Sequence, residues 1–505
     1  METFIIGLFI LLLGGSLYGS LCQKVFGPDD RRTPAYVKRD GFDFLPMSKW
    51  KNAMINLLNI AGTGPILGPI QGILFGPIAF ISIPVGCVIG GAVHDYFSGM
   101  ISLREGGIQM PKLIRQNMNI FIYRLYTVFV CIVLFLLGVV FIYTPGDIIC
   151  TQIFGLSANT EKTARWMIYL IILLYYFIAV LFPIDKLIGK IYPVFGIALI
   201  FSAVGIFIML FIKNYYLANI WDDWVLNGFD FRQYFLNGHF FPVFFITVAC
   251  GIMSGFHSTQ ITIVSRTMNS EHDGRCVFYN MMIAEGFIAM VWAAGTMAMI
   301  SLGAENLGIT VKLIGNEFKY FAHVGGIIKQ ISPTSVVGVV CRNMLGNIGG
   351  LIAIIGIIIL PITSGDTAIR SLRLIVSENL NIKNNDIKKQ LSLAFIIFGF
   401  IFCILVWAKN SPNGFNVIWR YVGWSNQTLA VFALVSIIIW LMNHGKKKFL
   451  WIPLIPFLFY SSVVCSYLCS AKIGLNLPHD IANVVGIILA ILFAIVVVSR
   501  GYRKT

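Results

Sequence analysis

The chain has 505 residues, of which 57% are hydrophobic and 12% charged, and its formal net charge is +15. Soluble domains carry about 25% charged residues, so this composition excludes an ordinary soluble protein and leaves a polytopic membrane protein. Its ten cysteines are scattered through apolar runs without a CxxC pair or Cys/His ligand spacing, which points to neither a disulfide framework nor a metal site.

Apolar runs of about 20 residues are long enough to cross a bilayer. They fall near 3–22, 52–74, 78–103, 121–143, 165–183, 191–212, 241–265, 277–302, 346–369, 390–408, 422–442, 449–470 and 481–499. The expected fold is therefore all-α, with about thirteen transmembrane helices. The first run has no basic stretch before it and reads as a retained span, not a cleaved signal peptide. The longest polar connections are 23–51, 213–240 and 303–345, and the last is expected to hold a short surface helix. With the N-terminus outside and the C-terminus cytoplasmic, more than two thirds of the 37 Lys and Arg fall in inner loops. The positive-inside rule then accounts for the basic balance without any nucleic acid.

The second span carries AGTGPILGPIQGILFGP from Ala61 to Pro77, with Gly62, Gly64, Pro65, Gly68 and Pro69 inside eight residues. Such a run breaks a helix and frees backbone N–H and C=O groups. In a bilayer these groups are tolerated only where protein or a water-accessible cavity surrounds them. The alternative is a kinked structural helix. The seventh span carries a second interruption, ACGIMSGFHSTQ, from Ala249 to Gln260. Five spans separate the two starts, so the interrupted helices cross in opposite directions, as in transporters built from inverted repeats. The units are then 52–212 and 241–443, joined by the outer loop 213–240. The N-terminal helix with its basic loop, 1–51, and the two C-terminal helices, 444–505, are peripheral.

A half-helix starting at Pro65 and another starting near Ser254 would point two N-termini at one place, which suits a carboxylate. His257 falls in the first turn of the second; its alternative role is a structural histidine bonded to a carbonyl. Bulk at Gly64 is expected to block the freed backbone while leaving the fold intact.

Three acids lie within apolar spans, Asp95, Glu285 and Asp366, and each must pair, protonate or face water. Asp366 stands one turn before Arg370, the spacing of a plain ion pair. Glu285 has no cation one turn away and is the proton-carrier candidate. Asp95 follows His94, but neighbours on a helix point to different faces, so the two are not expected to pair. Thr363, Ser364 and Thr367 place hydroxyls beside Asp366, suited to Na⁺ or to helix packing. Lys190, near a span end, either reaches the same region as a fixed or titrating ammonium or snorkels to the headgroups. Trp424, Ser425, Asn426 and Gln427 open the eleventh span with a run too polar for lipid contact.

At these residues the chain resembles the carbon starvation protein A (CstA) family of bacterial membrane proteins. The matching stretches are IAGTGPILGP at 60–69, GGAVHDYFSGMISLREGG at 90–107 and TVACGIMSGFHSTQ at 247–260, followed by AEGFIAM at 284–290, TSGDTAIRS at 363–371 and WSNQTLA at 424–430. Thr63, Gln71 and His94 depart from the familiar pattern and bear on the substrate. The resemblance implies a LeuT-like core of five plus five helices in a bacterial inner membrane. It implies import of peptides, pyruvate or amino acids during carbon starvation, with proton coupling and no other cofactor. On that reading Gly62, Thr63, Gly64, Pro65, Gly255, His257, Asn426 and Gln427 surround the substrate. Glu285, Asp95, Asp366, Thr363, Ser364 and Lys190 are the coupling candidates, Na⁺ being the alternative ion. A channel would need a continuous polar pore lining, and an enzyme a nucleophile–base or metal constellation; the chain offers neither. A nutrient sensor without transport is the remaining alternative.

Overall fold

The computed structural model describes residues 1–41, 43–156, 162–181, 184–237, 239–314, 317–324, 326–382, 386–411 and 414–503. Among them, eleven helices are long and apolar enough to cross a membrane, and one bent pair makes a twelfth. In chain order these begin with α1 (Glu2–Phe26), the bent pair α2 (Lys49–Ile60) and α3 (Gly64–Phe75), α4 (Ala79–Arg104) and α5 (Ile120–Ile153). Next come α6 (Lys162–Leu181) and α7 (Ile184–Ile212). The stretch expected to be a single span at 241–265 is built from three short helices: α8 (Phe240–Thr247), α9 (Ala249–Ile252) and α10 (Gly255–Val264). Then follow α11 (Asn280–Leu302), α12 (Pro333–Asn379), α13 (Ile387–Asn410), α14 (Gly414–Asn443), α15 (Trp451–Ser470) and α16 (His479–Arg503).

The connection 303–345 corrects the all-α expectation. Its first part folds as an antiparallel sheet of β1 (Ile309–Ile314), β2 (Glu317–Val324) and β3 (Ile327–Ile331). Residues 333–345 are the helix expected within it, ended by the break at Gly346 and largely buried instead of lying on the surface. Ile309 pairs with Ala322 and Tyr320 with Ile331. The reason lies in the alternation of β1, where Ile309 and Val311 are buried and Lys312 is exposed; period two fits a half-buried strand and not a helix. Pro333 then starts α12 at a position where its missing N–H costs nothing. Ser332 caps that helix by accepting from the N–H of Ser335. α12 continues for 47 residues, interrupted at Gly346, whose φ of 72° lies in the left-handed region.

Lipid offers no hydrophobic drive for helix association, so close packing has to hold the bundle. α3 packs on α9 and α11, α10 on α2, α4 and α14, and α12 on α5 and α7. α1 lies along both halves of α4, and α16 packs chiefly on α15. The core of the bundle is therefore the two interrupted segments and the helices that clasp them.

Candidate functional site where two broken helices cross

α2 ends at Ile60 and α3 restarts at Gly64, with a 47° bend between them. In an unbroken helix the carbonyls of Leu58 and Asn59 would accept from the N–H groups four residues on. Here hydroxyls of α12 donate to them instead. Thr363 Oγ1 lies 3.1 Å from the Leu58 carbonyl, and Ser364 Oγ lies 3.1 Å and 3.0 Å from those of Leu58 and Asn59. Thr367 Oγ1 reaches the Asn59 side chain at 3.3 Å. The hydroxyl cluster thus meets the first break at Leu58 and Asn59, upstream of Ala61.

The second break lies between α9 and α10, where Met253 and Ser254 are extended. Its free backbone groups are claimed by α14. Asn426 Oδ1 accepts from the N–H of Phe256 at 2.7 Å and from Ser254 Oγ at 3.1 Å, capping α10 from a distant helix. Gln427 Nε2 donates to the carbonyls of Phe245 at 3.2 Å and Met253 at 3.0 Å. The polar opening of the eleventh expected span therefore supports the break.

The two breaks touch. A Cβ on Gly64 would overlap the Cβ of Cys250, and one on Gly255 would overlap the α14 backbone at Asn426 and Ala430. Between them lies a narrow cavity of about 30 Å³. Its polar lining comes from Thr63, Thr247, Cys250 and Asn426 and the backbone of Gly62 and Gly64; Phe141, Phe256 and Trp419 make much of its apolar wall. A vestibule of about 640 Å³ lies against the sheet and shares Thr247 and Trp419 with the cavity. It carries Gln71, Asp147, Lys319 and Arg420. Asp147 at its wall is held by Arg165 at 2.7 Å and Lys409 at 3.5 Å.

Of the residues expected around the substrate, Gly62, Thr63, Gly64 and Asn426 line this cavity. Pro65, Gly255 and Gln427 are buried behind it. His257 turns away into a buried polar chain. Its Nδ1 lies 2.9 Å from Asp95 Oδ2, and its Nε2 lies 3.5 Å from Glu285 Oε2. The other Asp95 oxygen lies 2.7 Å from His94 Nδ1. Two expectations are corrected here. His94 and Asp95 do bond, because imidazole Nδ1 sits close enough to the backbone to meet a neighbouring carboxylate even when the two side chains diverge. Glu285 does have an ionisable partner, which comes from another helix where no one-turn spacing reveals it.

Asp366 and Arg370 form the one-turn pair at 3.7 Å, both fully buried, and Arg370 also donates to the Ala179 carbonyl at 2.8 Å. The side chain of Lys190 lies outside the described residues. Cys250, Phe141, Phe256 and Trp419 were missed by sequence reasoning. Only Cys250 and Phe256 carried a signal, by flanking the second break.

The family model for carbon starvation protein CstA matches residues 1–145, 124–339 and 334–466. A membrane protein of Haemophilus influenzae is 38% identical over 335 residues, spanning 58% of this chain and 89% of that one. The peptide transporter CstA of Campylobacter jejuni is 25% identical, over 89% of this chain and 77% of that one. The pyruvate/proton symporter BtsT of Escherichia coli is 23% identical, over 87% and 77%. In structure, a manganese transporter of Eremococcus coleocola superposes with a TM-score of 0.58 at 10% identity, covering 92% of this chain and 99% of that one, so the two share a fold. The family model runs through both breaks, and the chain belongs to the CstA family of multi-pass membrane proteins.

Proposed function

We propose that this protein is a secondary transporter that moves small monocarboxylates together with protons, holding the carboxylate where the two breaks cross. The observation that carries this reading is the lining of the cavity: amide, hydroxyl and thiol groups with freed backbone and an apolar wall, and among the described residues no charged side chain. A carboxylate finds donors there. The ammonium of an amino acid or peptide finds no acid, and burying a charge without a partner is costly. The cavity is drawn in to about 30 Å³, room for about two waters at about 10–15 Å³ each, so it has to widen to admit even a small carboxylate. A relative named as a pyruvate/proton symporter and others named as peptide transporters supply the two substrate classes to compare. The larger vestibule, with charges of both signs, favours peptides as the second reading.

The two interrupted segments begin five spans apart in the expected order and pack on each other, which supports a core of five plus five inverted helices. On the positive-inside reading the strap after α1, residues 28–41 and 43–47, is cytoplasmic, and the sheet with its vestibule faces outside. Single cysteines in β2 and at Lys389 are then expected to react from opposite sides of the membrane with an impermeant maleimide. Labelling of both from the same side would overturn the orientation.

The function is tested by counterflow in liposomes preloaded with pyruvate, dipeptide or amino acid, and by uptake under H⁺ or Na⁺ gradients. Saturable pyruvate counterflow, with dipeptide exchange at least about tenfold slower, is the expected result. Equal exchange of dipeptide would reassign the substrate; strict Na⁺ dependence would replace the proton. Failure of any solute to exchange would leave a sensor.

A further inference from the structure

We propose that the buried chain His94–Asp95–His257–Glu285 is the proton site of this carrier, with the transported proton resident in the gap between His257 Nε2 and Glu285 Oε2. The proposal rests on the carrier reading above. Four ionisable side chains from α4, α10 and α11 lie in one line, all fully buried. Consecutive gaps along it are 2.7 Å, 2.9 Å and 3.5 Å. Ionisable groups inside a membrane protein are costly and mark proton or ion pathways.

The first two gaps are hydrogen bonds, whereas His257 Nε2 and both Glu285 oxygens face each other without a hydrogen-bond partner among the described residues, which is the place open to a mobile proton. An ionised Asp95 accepts through both oxygens, so each flanking imidazole presents Nδ1–H to it. His257 then turns Nε2 toward Glu285. If His257 is neutral, Nε2 is a lone pair and its only complement is the protonated carboxyl of Glu285. If His257 is an imidazolium, Nε2–H faces a Glu285 carboxylate. Both forms hold one proton in the gap, and the four groups together carry one negative charge. Removing that proton leaves a lone pair facing a carboxylate and two negative charges in a buried site. That state is the one an alternating carrier must cross when it releases its proton.

The titratable groups on the elements packed around the chain are thiols and phenols. Cys87 of α4 donates to the Met282 carbonyl at 3.3 Å, and Tyr279, just before α11, donates to the Val88 carbonyl at 3.2 Å. Tyr460 of α15 stands against Gly86. Cys250 of α9 lies within electrostatic range of Glu285 and also lines the cavity between the breaks. Among the described residues no lysine or arginine forms an ion pair with any of the four. With no such cation paired to the chain among the described residues, an anionic substrate arriving beside Cys250 favours the proton-loaded form of the gap. The bound proton in turn favours the anion, as linkage requires. One monocarboxylate and one proton together carry no net charge, so transport is electroneutral.

The test separates exchange from driven uptake, because counterflow needs no net proton release whereas accumulation under a pH gradient does. In proteoliposomes, Glu285→Gln and His257→Gln are expected to lower pH-driven accumulation of pyruvate by about tenfold or more while retaining pyruvate counterflow. Wild-type accumulation in both variants overturns the proposal. If neither variant folds, calorimetry of pyruvate binding to wild type in buffers of different ionisation heat decides. Uptake of about one proton per substrate near neutral pH supports the site, and no proton uptake between pH 6 and 8 overturns it. Absence of counterflow in wild type overturns the carrier reading itself, and the proton site with it.

Discussion

Gly64→Leu is expected to prevent assembly of the transporter and not merely to plug it. The hydrogen of Gly64 faces the Cβ of Cys250, and a side chain there would overlap it. The neighbour is α9, the short helix just before the second break, so relief requires one interrupted segment to move away from the other. The same contact line continues at Gly68, whose Cβ would stand 3.0 Å from the Thr247 carbonyl. Overpacking a tight contact costs about 1–3 kcal/mol and occasionally more; here each half-helix is tied to neighbours on its far side, which places the cost at the upper end. The sequence reading expected a folded but blocked protein. The structure reverses this because the space beside Gly64 is filled by protein. The measurement is the yield of monodisperse protein in detergent and its melting temperature. Gly62→Ala is the contrasting variant, since its Cβ meets Phe141 at 3.1 Å and Ser364 Oγ at 3.2 Å. That variant is expected to fold and to raise KM for the substrate. A Gly64→Leu protein with wild-type yield and affinity would show that the breaks do not cross in this way.

What the sequence made legible were features written within single helices. The restart near Pro65, the second restart after Ser254 and the Asp366–Arg370 pair are all local, set by glycine, proline and one-turn spacing. The long apolar runs marked most spans for the same reason. What stayed hidden was contact between helices far apart in the chain. Nothing in the one-turn neighbourhood of Glu285 announces His257, and nothing near Asn426 announces that its carbonyl caps α10. His257 shows the difference most clearly. Its position at a half-helix start suggested substrate contact, while its ring is turned to Asp95 by the packing of α10 on α4. The sheet at 309–331 was missed for another reason. Its alternation is short and lies in a polar connection expected to hold a helix, although Val311 buried beside an exposed Lys312 carries the period of a strand.

Glu271→Ala is expected to unlock the face of the bundle opposite the sheet. Glu271 is 1% exposed and sits at the centre of an ion cluster that ties the strap to the helices above it. Arg104, at the end of α4, donates to it at 3.1 Å and 2.8 Å, and Arg31 of the strap stands at 3.5 Å. The N–H of Asp29 donates to the same carboxylate at 3.1 Å. Arg104 also lies 4.1 Å above the Phe26 ring and bonds the Gly27 carbonyl, so the end of α1 is held by the same guanidinium. Removing one member of a buried pair costs about 3–5 kcal/mol, because the other charge is left without its partner. Other ties of the strap include the Thr33 hydroxyl on the Met268 carbonyl at 2.6 Å, the bonds of Asn52 to Met47 and Thr267, each at 3.0 Å, Lys38 on the Gly106 carbonyl at 2.8 Å, and the wider contacts of Asp30 with His272 at 3.2 Å and Asp43 with Arg266 at 4.0 Å. Neutral hydrogen bonds are worth about 1 kcal/mol each and exposed ion pairs little, so the cluster on buried Glu271 is the tie tested first. The Asp29 carboxylate, hydrogen-bonded to Arg31, is held well below the usual carboxylate range. Its contribution is therefore lost only as pH falls through that lowered value, and mild acidification leaves the pair charged. A pH gradient used to drive uptake does not act through this pair. The readout is a cysteine placed at Ala35, a fully buried position on the strap, labelled by an impermeant maleimide. With Glu271→Ala the labelling rate is expected to rise by at least about tenfold, the factor that 1.4 kcal/mol supplies. An unchanged rate would show that the strap opens independently of Glu271.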